Sequence, residues 1–194
     1  MVNQLITAFR NRVNTVLTRL ALSLDNLGFT PNMLTVIGFI CAAMAGVLFY
    51  MRINWMFTYI IAPFLILLSG LMDALDGPLA RLGKASKFGG ILDSTFDRLG
   101  EIIILSGIIL GELASPFWGI AAISFSLMVS YVRARTEVEN VKMESIGIAE
   151  RPERMLVLII SSFLGLVEYG VALIAILSII TFVQRTVYAY QNVR

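Results

Sequence analysis

The sequence predicts an all-α integral membrane protein, with six transmembrane helices behind an N-terminal amphipathic helix that lies in the interface. Three observations lead there. Of the 194 residues, 58% are hydrophobic and only 14% charged, against roughly 45–50% and 25% in an average soluble domain. Apolar runs of about 20 residues, enough to cross a bilayer, recur along the chain. Lysines and arginines collect in alternate connections between those runs.

The first 27 residues stand apart from these runs. In "VNQLITAFRNRVNTVLTRLALSLDNLG", Leu5, Ile6, Val13, Val16, Leu17 and Leu20 recur near helical spacing, with Arg10, Arg12 and Arg19 between them. That pattern suits a helix lying in the membrane interface and ended by Gly28. The arginines interrupt the apolar stretch and no small-residue cleavage site follows, which argues against a signal peptide. The reading therefore divides the chain into a juxtamembrane helix, 1–28, and one six-helix domain, 29–194.

Thr30 and Pro31 open a first span over 31–51 as a cap and first-turn pair. A second span runs over 54–76, with Pro63 kinking it without ending it. The others are expected near 89–110, 115–133, 152–168 and 170–190. Six spans place both termini on one side. With that count, 14 of the 15 Lys and Arg residues share one face and only Arg52 lies opposite. The positive-inside rule makes that face cytoplasmic, so a multi-pass protein of the cell membrane is expected, with cytoplasmic termini.

Composition also excludes chemistry. There is no histidine, so imidazole catalysis is out. Cys41 is the single cysteine, which rules out an intramolecular disulfide, and it sits in an apolar run with no histidine to activate it. The net charge is only +2, and no nucleic-acid partner is expected.

Four aspartates interrupt the oily pattern. "LMDALDGPLARLGKASKFGGILDSTFDRLGE" carries Asp73 and Asp76 at the end of span two, and Asp93 and Asp97 at the start of span three. Spacings of three and four put each pair on one helix face. Two antiparallel helices joined by a short loop turn those faces together, so four carboxylates gather on the cytoplasmic side. Bare carboxylates that close repel, and something cationic should hold them. Oxygen-only ligands favour Mg²⁺ or Mn²⁺ over zinc. Four carboxylates suit two such ions, an arrangement used for phosphoryl transfer. Solvated helix ends are the plain alternative, and divalent-cation transport is a third reading, because intramembrane carboxylates also mark ion pathways.

The pattern Asp73-x2-Asp76-Gly77-x2-Ala80-Arg81, followed by Gly89-x3-Asp93-x3-Asp97, resembles the signature of the CDP-alcohol phosphotransferase family. Seven residues separate Arg81 from Gly89 here, where the common form of the family has eight. The six spans and the N-terminal helix resemble the family as well. The resemblance implies transfer of a substituted phosphoryl group from a CDP-alcohol to another alcohol, with release of CMP. It implies that Asp73, Asp76 and Asp93 bind two metal ions, and that Asp97 is a ligand or the general base. Gly77 and Ala80 would form a low wall for the nucleotide, Arg81 would meet a phosphate, and Thr35 in "TPNMLT" would lie near the cytidine. Gly89 is open between that role and close helix packing, and Thr30 between that role and simple helix capping. A homodimer is implied by the resemblance alone. Gly38, Ala42, Ala43 and Gly46 offer close helix packing without naming a partner.

A second charged cluster lies in "SYVRARTE" and "GIAERPERM". Arg133, Arg135, Arg151 and Arg154 bracket one cytoplasmic loop, and guanidinium groups bind phosphate bidentately. With Lys84 they fit a pocket for an anionic acceptor, although the positive-inside rule alone would also place arginines here. The segment resembles the subgroup that makes phosphatidylinositol phosphate or its archaeal ether-lipid analogue. The implied donor is a CDP-lipid, CDP-diacylglycerol or CDP-archaeol, entering from the bilayer. The implied acceptor is inositol 1-phosphate, with glycerol 3-phosphate or another alcohol as rival.

Overall fold

The computed structural model describes the backbone of residues 2–143 and 146–193, and the side chains of 14–143 and 146–193. Along these residues run α1 (Val2–Asn26), α2 (Pro31–Met51), α3 (Ala62–Leu79), α4 (Lys87–Leu110), α5 (Pro116–Val138), α6 (Arg151–Phe163) and α7 (Val167–Asn192). No strand occurs among the described residues. The side chains of Leu5, Ile6, Arg10, Arg12 and Val13, and all of Arg194, fall outside them.

Among the described residues, four helices are long and apolar enough to cross a membrane: α2, the run Phe57–Lys84 that contains α3, α5 and α7. The other two predicted spans take a different form. α4 carries Lys87, Asp93, Asp97, Arg98 and Glu101 along its length. α6 has only 13 residues, about 20 Å at 1.5 Å per residue, against a hydrocarbon core of about 30 Å. It stops early because Gly165 takes a left-handed conformation, φ 71°. The amides of Gly165 and Leu166 then bond back to Ser162 and Ser161, closing the helix several residues before the expected end at Glu168. α5, in contrast, runs on to Val138, which keeps Arg133 within the helix and puts Arg135 in its last turn.

Pro63 leaves the second span continuous. The missing amide is absorbed by a π-helical turn, Phe57–Ile61, just before it. A second π-helical turn, Ala80–Lys84, follows α3, and Gly83 (φ 94°) breaks the helix there. The short spacing between Arg81 and Gly89 thus falls on the link between two helices that each keep their aspartates.

The chain forms two compact units. The first takes residues 1–41 and 68–99. Its small core joins Ala21 of α1 to Leu34 of α2 and to Leu75 and Leu79 of α3. Leu17 and Leu24 support that core, while Val16 and Leu20 remain exposed on α1. α1 ends at Asn26 and Gly28 (φ 84°) turns the chain just beyond it, with Phe29 N bonded to Leu24 O at 3.0 Å. Thr30 caps α2 by accepting the Met33 amide at 3.3 Å. Phe39 and Phe96 stack with ring centroids 4.5 Å apart.

The second unit takes 42–67 and 100–194. Its core includes Phe49, Ile66, Leu105, Ile108, Leu158 and Ile174. α5 and α7 lie along one another, and α6 packs on α7 and on the first π-helical turn. Ser126 and Ser178 meet at 3.3 Å between α5 and α7, the kind of polar contact that joins apolar helices. α2 and α4 cross where glycines allow backbone to touch backbone. A Cβ placed on Gly107 would stand 2.0 Å from Gly46 O, and one on Gly46 would stand 2.7 Å from Ile103 O.

Candidate active site

The signature segment folds so that acid residues from two helices converge within the first unit. Asp73 and Asp76, three residues apart, lie on one face of α3, and the link after the second π-helical turn returns the chain into α4 with Asp93. Carboxylate oxygens of Asp73, Asp76 and Asp93, all half-buried, lie within 4.8 Å of one another. Oxygens at that separation fit around a hard divalent cation with little movement of either helix. Asp97 is also half-buried, one turn further along α4, and is not a member of this three-carboxylate group.

A cavity of about 240 Å³ opens beside the carboxylates, lined by Thr35, Asp76, Gly77, Ala80, Gly89 and Asp93 among others. Thr35 Oγ1 donates to Asp76 Oδ2 at 3.3 Å, so α2 helps to orient that carboxylate. Gly77 meets nothing within 4 Å of where a Cβ would sit, and the cavity wall there is bare backbone. Gly89 lines the cavity, and a Cβ on it would stand 2.7 Å from Asn32 Oδ1 and 2.9 Å from Ser86 Oγ. Its amide also donates to Ser86 Oγ at 2.9 Å, which caps α4. Arg81 is exposed next to this region. Lys84 lines the cavity as well, but its ammonium is held by Asp25 at 2.6 Å and by Phe29 O at 3.3 Å.

The arginines predicted for the acceptor belong to the second unit, and the structure treats them differently. Arg133, half-buried, and Arg135, exposed, lie on α5, each paired to the glutamate one turn on, Glu137 and Glu139. Surface pairs of this kind contribute only a few tenths of a kcal/mol, so an anion can displace them. Arg151 is half-buried at the start of α6. Arg154 is 1% exposed. Its Nε and Nη2 donate to the two oxygens of Glu101 at 2.7 and 2.8 Å, and its Nη1 donates to Ala149 O at 3.2 Å. It faces protein, whereas the sequence pattern grouped it with Arg133, Arg135 and Arg151 in an acceptor pocket.

Two residues of this region escaped the sequence reading. Arg185 of α7 is 2% exposed and holds Ile146 O at 2.8 Å, Val129 O at 3.0 Å and Glu150 Oε1 at 2.6 Å. A cation inside an otherwise apolar span was the available signal. Arg133, Arg154, Glu137 and Glu150 are its electrostatic neighbours. Glu101 is the second, a lone carboxylate where α4 turns apolar.

Residues 29–186 match the CDP-alcohol phosphatidyltransferase family. The chain belongs to that family. This CDP-alcohol phosphatidyltransferase is 44% identical over 184 residues to an archaetidylinositol phosphate synthase of Pyrococcus horikoshii, covering 93% of this chain and 94% of that one. It is 34% identical to an archaetidylinositol phosphate synthase of Methanothermobacter thermautotrophicus, over 100% of this chain and 96% of the other. Among solved structures it resembles the phosphatidylinositol phosphate synthase of Mycobacterium tuberculosis with CDP-DAG bound, with a TM-score of 0.78, 25% identity, and coverage of 91% and 94%. The same Mycobacterium enzyme in complex with manganese and citrate matches with a TM-score of 0.76 and 26% identity, over 90% and 88%. The CDP-alcohol phosphatidyltransferase family is one of enzymes, so the transport reading of the aspartates falls away.

The bare wall gives a direct test of the cavity. Gly77→Val adds side-chain atoms where the protein offers nothing to clash with, so the variant is expected to fold with an unchanged melting temperature. Its KM for a CDP-lipid should rise by about tenfold or more, since filled volume excludes the nucleotide. Donor titration against CMP release measures this.

Proposed function

We propose that this CDP-alcohol phosphatidyltransferase moves the lipid-phosphoryl group of a CDP-lipid to inositol 1-phosphate, giving a phosphoinositol-phosphate lipid and CMP. The observation that carries the proposal is the three-carboxylate group of Asp73, Asp76 and Asp93 on a cavity with a backbone wall at Gly77. The names of the two archaeal relatives support the acceptor.

In this reading Asp73, Asp76 and Asp93 would hold two Mg²⁺ or Mn²⁺ ions. When bound, these neutralise the diphosphate and the charge that develops on departing CMP. Thr35 steadies Asp76 by its hydroxyl, and Gly77 and Ala80 admit the nucleotide against the helix. Arg81 meets a phosphate. Asp97 takes the proton of the acceptor hydroxyl as its oxygen bonds to the lipid-bearing phosphorus and the bond from that phosphorus to the CMP oxygen breaks. Arg133 and Arg151 bind the acceptor phosphate and Arg135 and Lys84 support it, with Arg133, Arg135 and Lys84 first leaving Glu137, Glu139 and Asp25.

The same reading places six crossings in the membrane, α4 and the short α6 completing the four apolar spans, and puts α1 in the interface. Trp55, Tyr59, Phe117, Trp118 and Tyr169 sit near the helix ends remote in sequence from the aspartates, as an aromatic belt requires. The site and both termini then face the cytoplasm, and two copies form a homodimer.

The test is CMP release by purified protein with Mg²⁺, a CDP-lipid and, in separate reactions, inositol 1-phosphate, inositol, glycerol 3-phosphate or serine. Release dependent on inositol 1-phosphate is expected. Release with glycerol 3-phosphate alone would keep the aspartate site and overturn the acceptor.

A further inference from the structure

The buried pair Glu101–Arg154 lies outside the roles assigned above, and its geometry is demanding. Glu101 is 5% exposed and Arg154 1%. Two guanidinium nitrogens meet both carboxylate oxygens at 2.7 and 2.8 Å, the bidentate arrangement that fixes direction as well as distance. A buried ion pair of this kind adds little net stability, because desolvating two charges offsets their attraction, and an apolar pair of similar volume often serves the fold as well. Its presence therefore calls for a reason other than stability. The third guanidinium nitrogen supplies one, since Nη1 of Arg154 donates to Ala149 O at 3.2 Å.

Ala149 begins the short stretch that enters α6 and carries Arg151. The same stretch is held from α7, where Thr181 Oγ1 accepts the Ala149 amide at 3.1 Å and Gln184 Oε1 accepts the Ile148 amide at 3.2 Å. Arg185 adds Ile146 O and Glu150. Of these contacts on 146–150, the one through Arg154 depends on a distant carboxylate. Without Glu101 the guanidinium loses its orientation, and with it the carbonyl two residues ahead of Arg151.

We propose that Glu101 is a positioning residue for the acceptor phosphate: by locking Arg154 onto the Ala149 carbonyl it sets the backbone from which Arg151 reaches that phosphate. This rests on the reading above in which Arg151 binds the acceptor phosphate. Arg154 then acts from behind the site and touches no substrate.

The experiment measures donor and acceptor KM, kcat and melting temperature in detergent for Glu101→Gln, Glu101→Asp and the apolar double variant Glu101→Met with Arg154→Met. Glu101→Gln is expected to raise the acceptor KM by about tenfold or more while the donor KM stays put, because a misplaced binding group weakens only the ligand it serves; its melting temperature should fall, since the Arg154 charge is left buried without its partner. Glu101→Asp, which keeps the charge, should recover part of that loss. The double Met variant should fold, since its apolar pair fills similar space, and should share the acceptor defect. An unchanged acceptor KM in Glu101→Gln or in the double variant overturns the proposal. So does a proportional rise in both KM values, the mark of a merely structural pair. If the wild type uses glycerol 3-phosphate and not inositol 1-phosphate, the proposed acceptor fails by itself, and the same KM comparison is made with glycerol 3-phosphate. If no phosphate-bearing acceptor supports release, both fall.

Discussion

Asp76→Asn is expected to abolish CMP release, with turnover down by at least about 10²–10³-fold, the loss that follows removal of one group aimed at developing charge. Asp76 is the member of the carboxylate group that also accepts the Thr35 hydroxyl and lines the cavity. The substitution keeps shape and that hydrogen bond but removes a full negative charge, so metal and donor binding should weaken together. Asp97→Asn makes the informative companion. It lies outside the three-carboxylate group, and a lost general base lowers turnover by about 10²–10⁴-fold while CDP-lipid still binds. Donor binding measured alongside CMP release separates the two variants. Equal donor affinity in both would mean that Asp76 holds no metal, and wild-type turnover in Asp97→Asn would remove it from the mechanism.

Gly107→Ala is expected to prevent the second unit from forming. A single methyl there would stand 2.0 Å from Gly46 O, 2.7 Å from its carbonyl carbon and 2.9 Å from its Cα. The obstacles are backbone and cannot rotate away, so the cost should exceed the roughly 1–3 kcal/mol typical of overpacked side chains. Little detergent-stable protein should be recovered, as read by size-exclusion chromatography. Gly70→Ala is the control, because nothing lies within 4 Å of its added methyl. Normal recovery of both variants would show that α2 and α4 do not cross at Gly46 and Gly107.

The aspartate site was legible because its chemistry is local. Asp73, Asp76 and Asp93 lie on two consecutive helices joined by a short link, and helical periodicity alone brings their faces round. Helix starts were also legible, since Thr30 and Pro31 act within one turn. What escaped depends on partners distant in sequence. Arg151 and Arg154 share the pattern "ERPER", yet one is half-buried and the other meets Glu101, 53 positions away. The end of α6 was misplaced because apolar residues continue past Gly165, and only its backbone conformation stops the helix. Gly38 and Gly46 suited a partner helix equally well from spacing. In the structure, a Cβ on Gly38 would lie 3.2 Å from Met72 Cβ, and Gly46 faces Ile103 and Gly107, so both glycines serve contacts within the chain.

The bare cavity wall at Gly77 has a consequence for how such a protein changes over time. Glycine is the smallest residue, so every substitution at position 77 adds atoms to the cavity and none removes any. Variation there runs in one direction only, toward narrower substrates, and the pocket cannot be widened from that side. A compound seated against this backbone would touch atoms that no point mutation can delete, and the surest way to shed such a compound would also exclude the nucleotide.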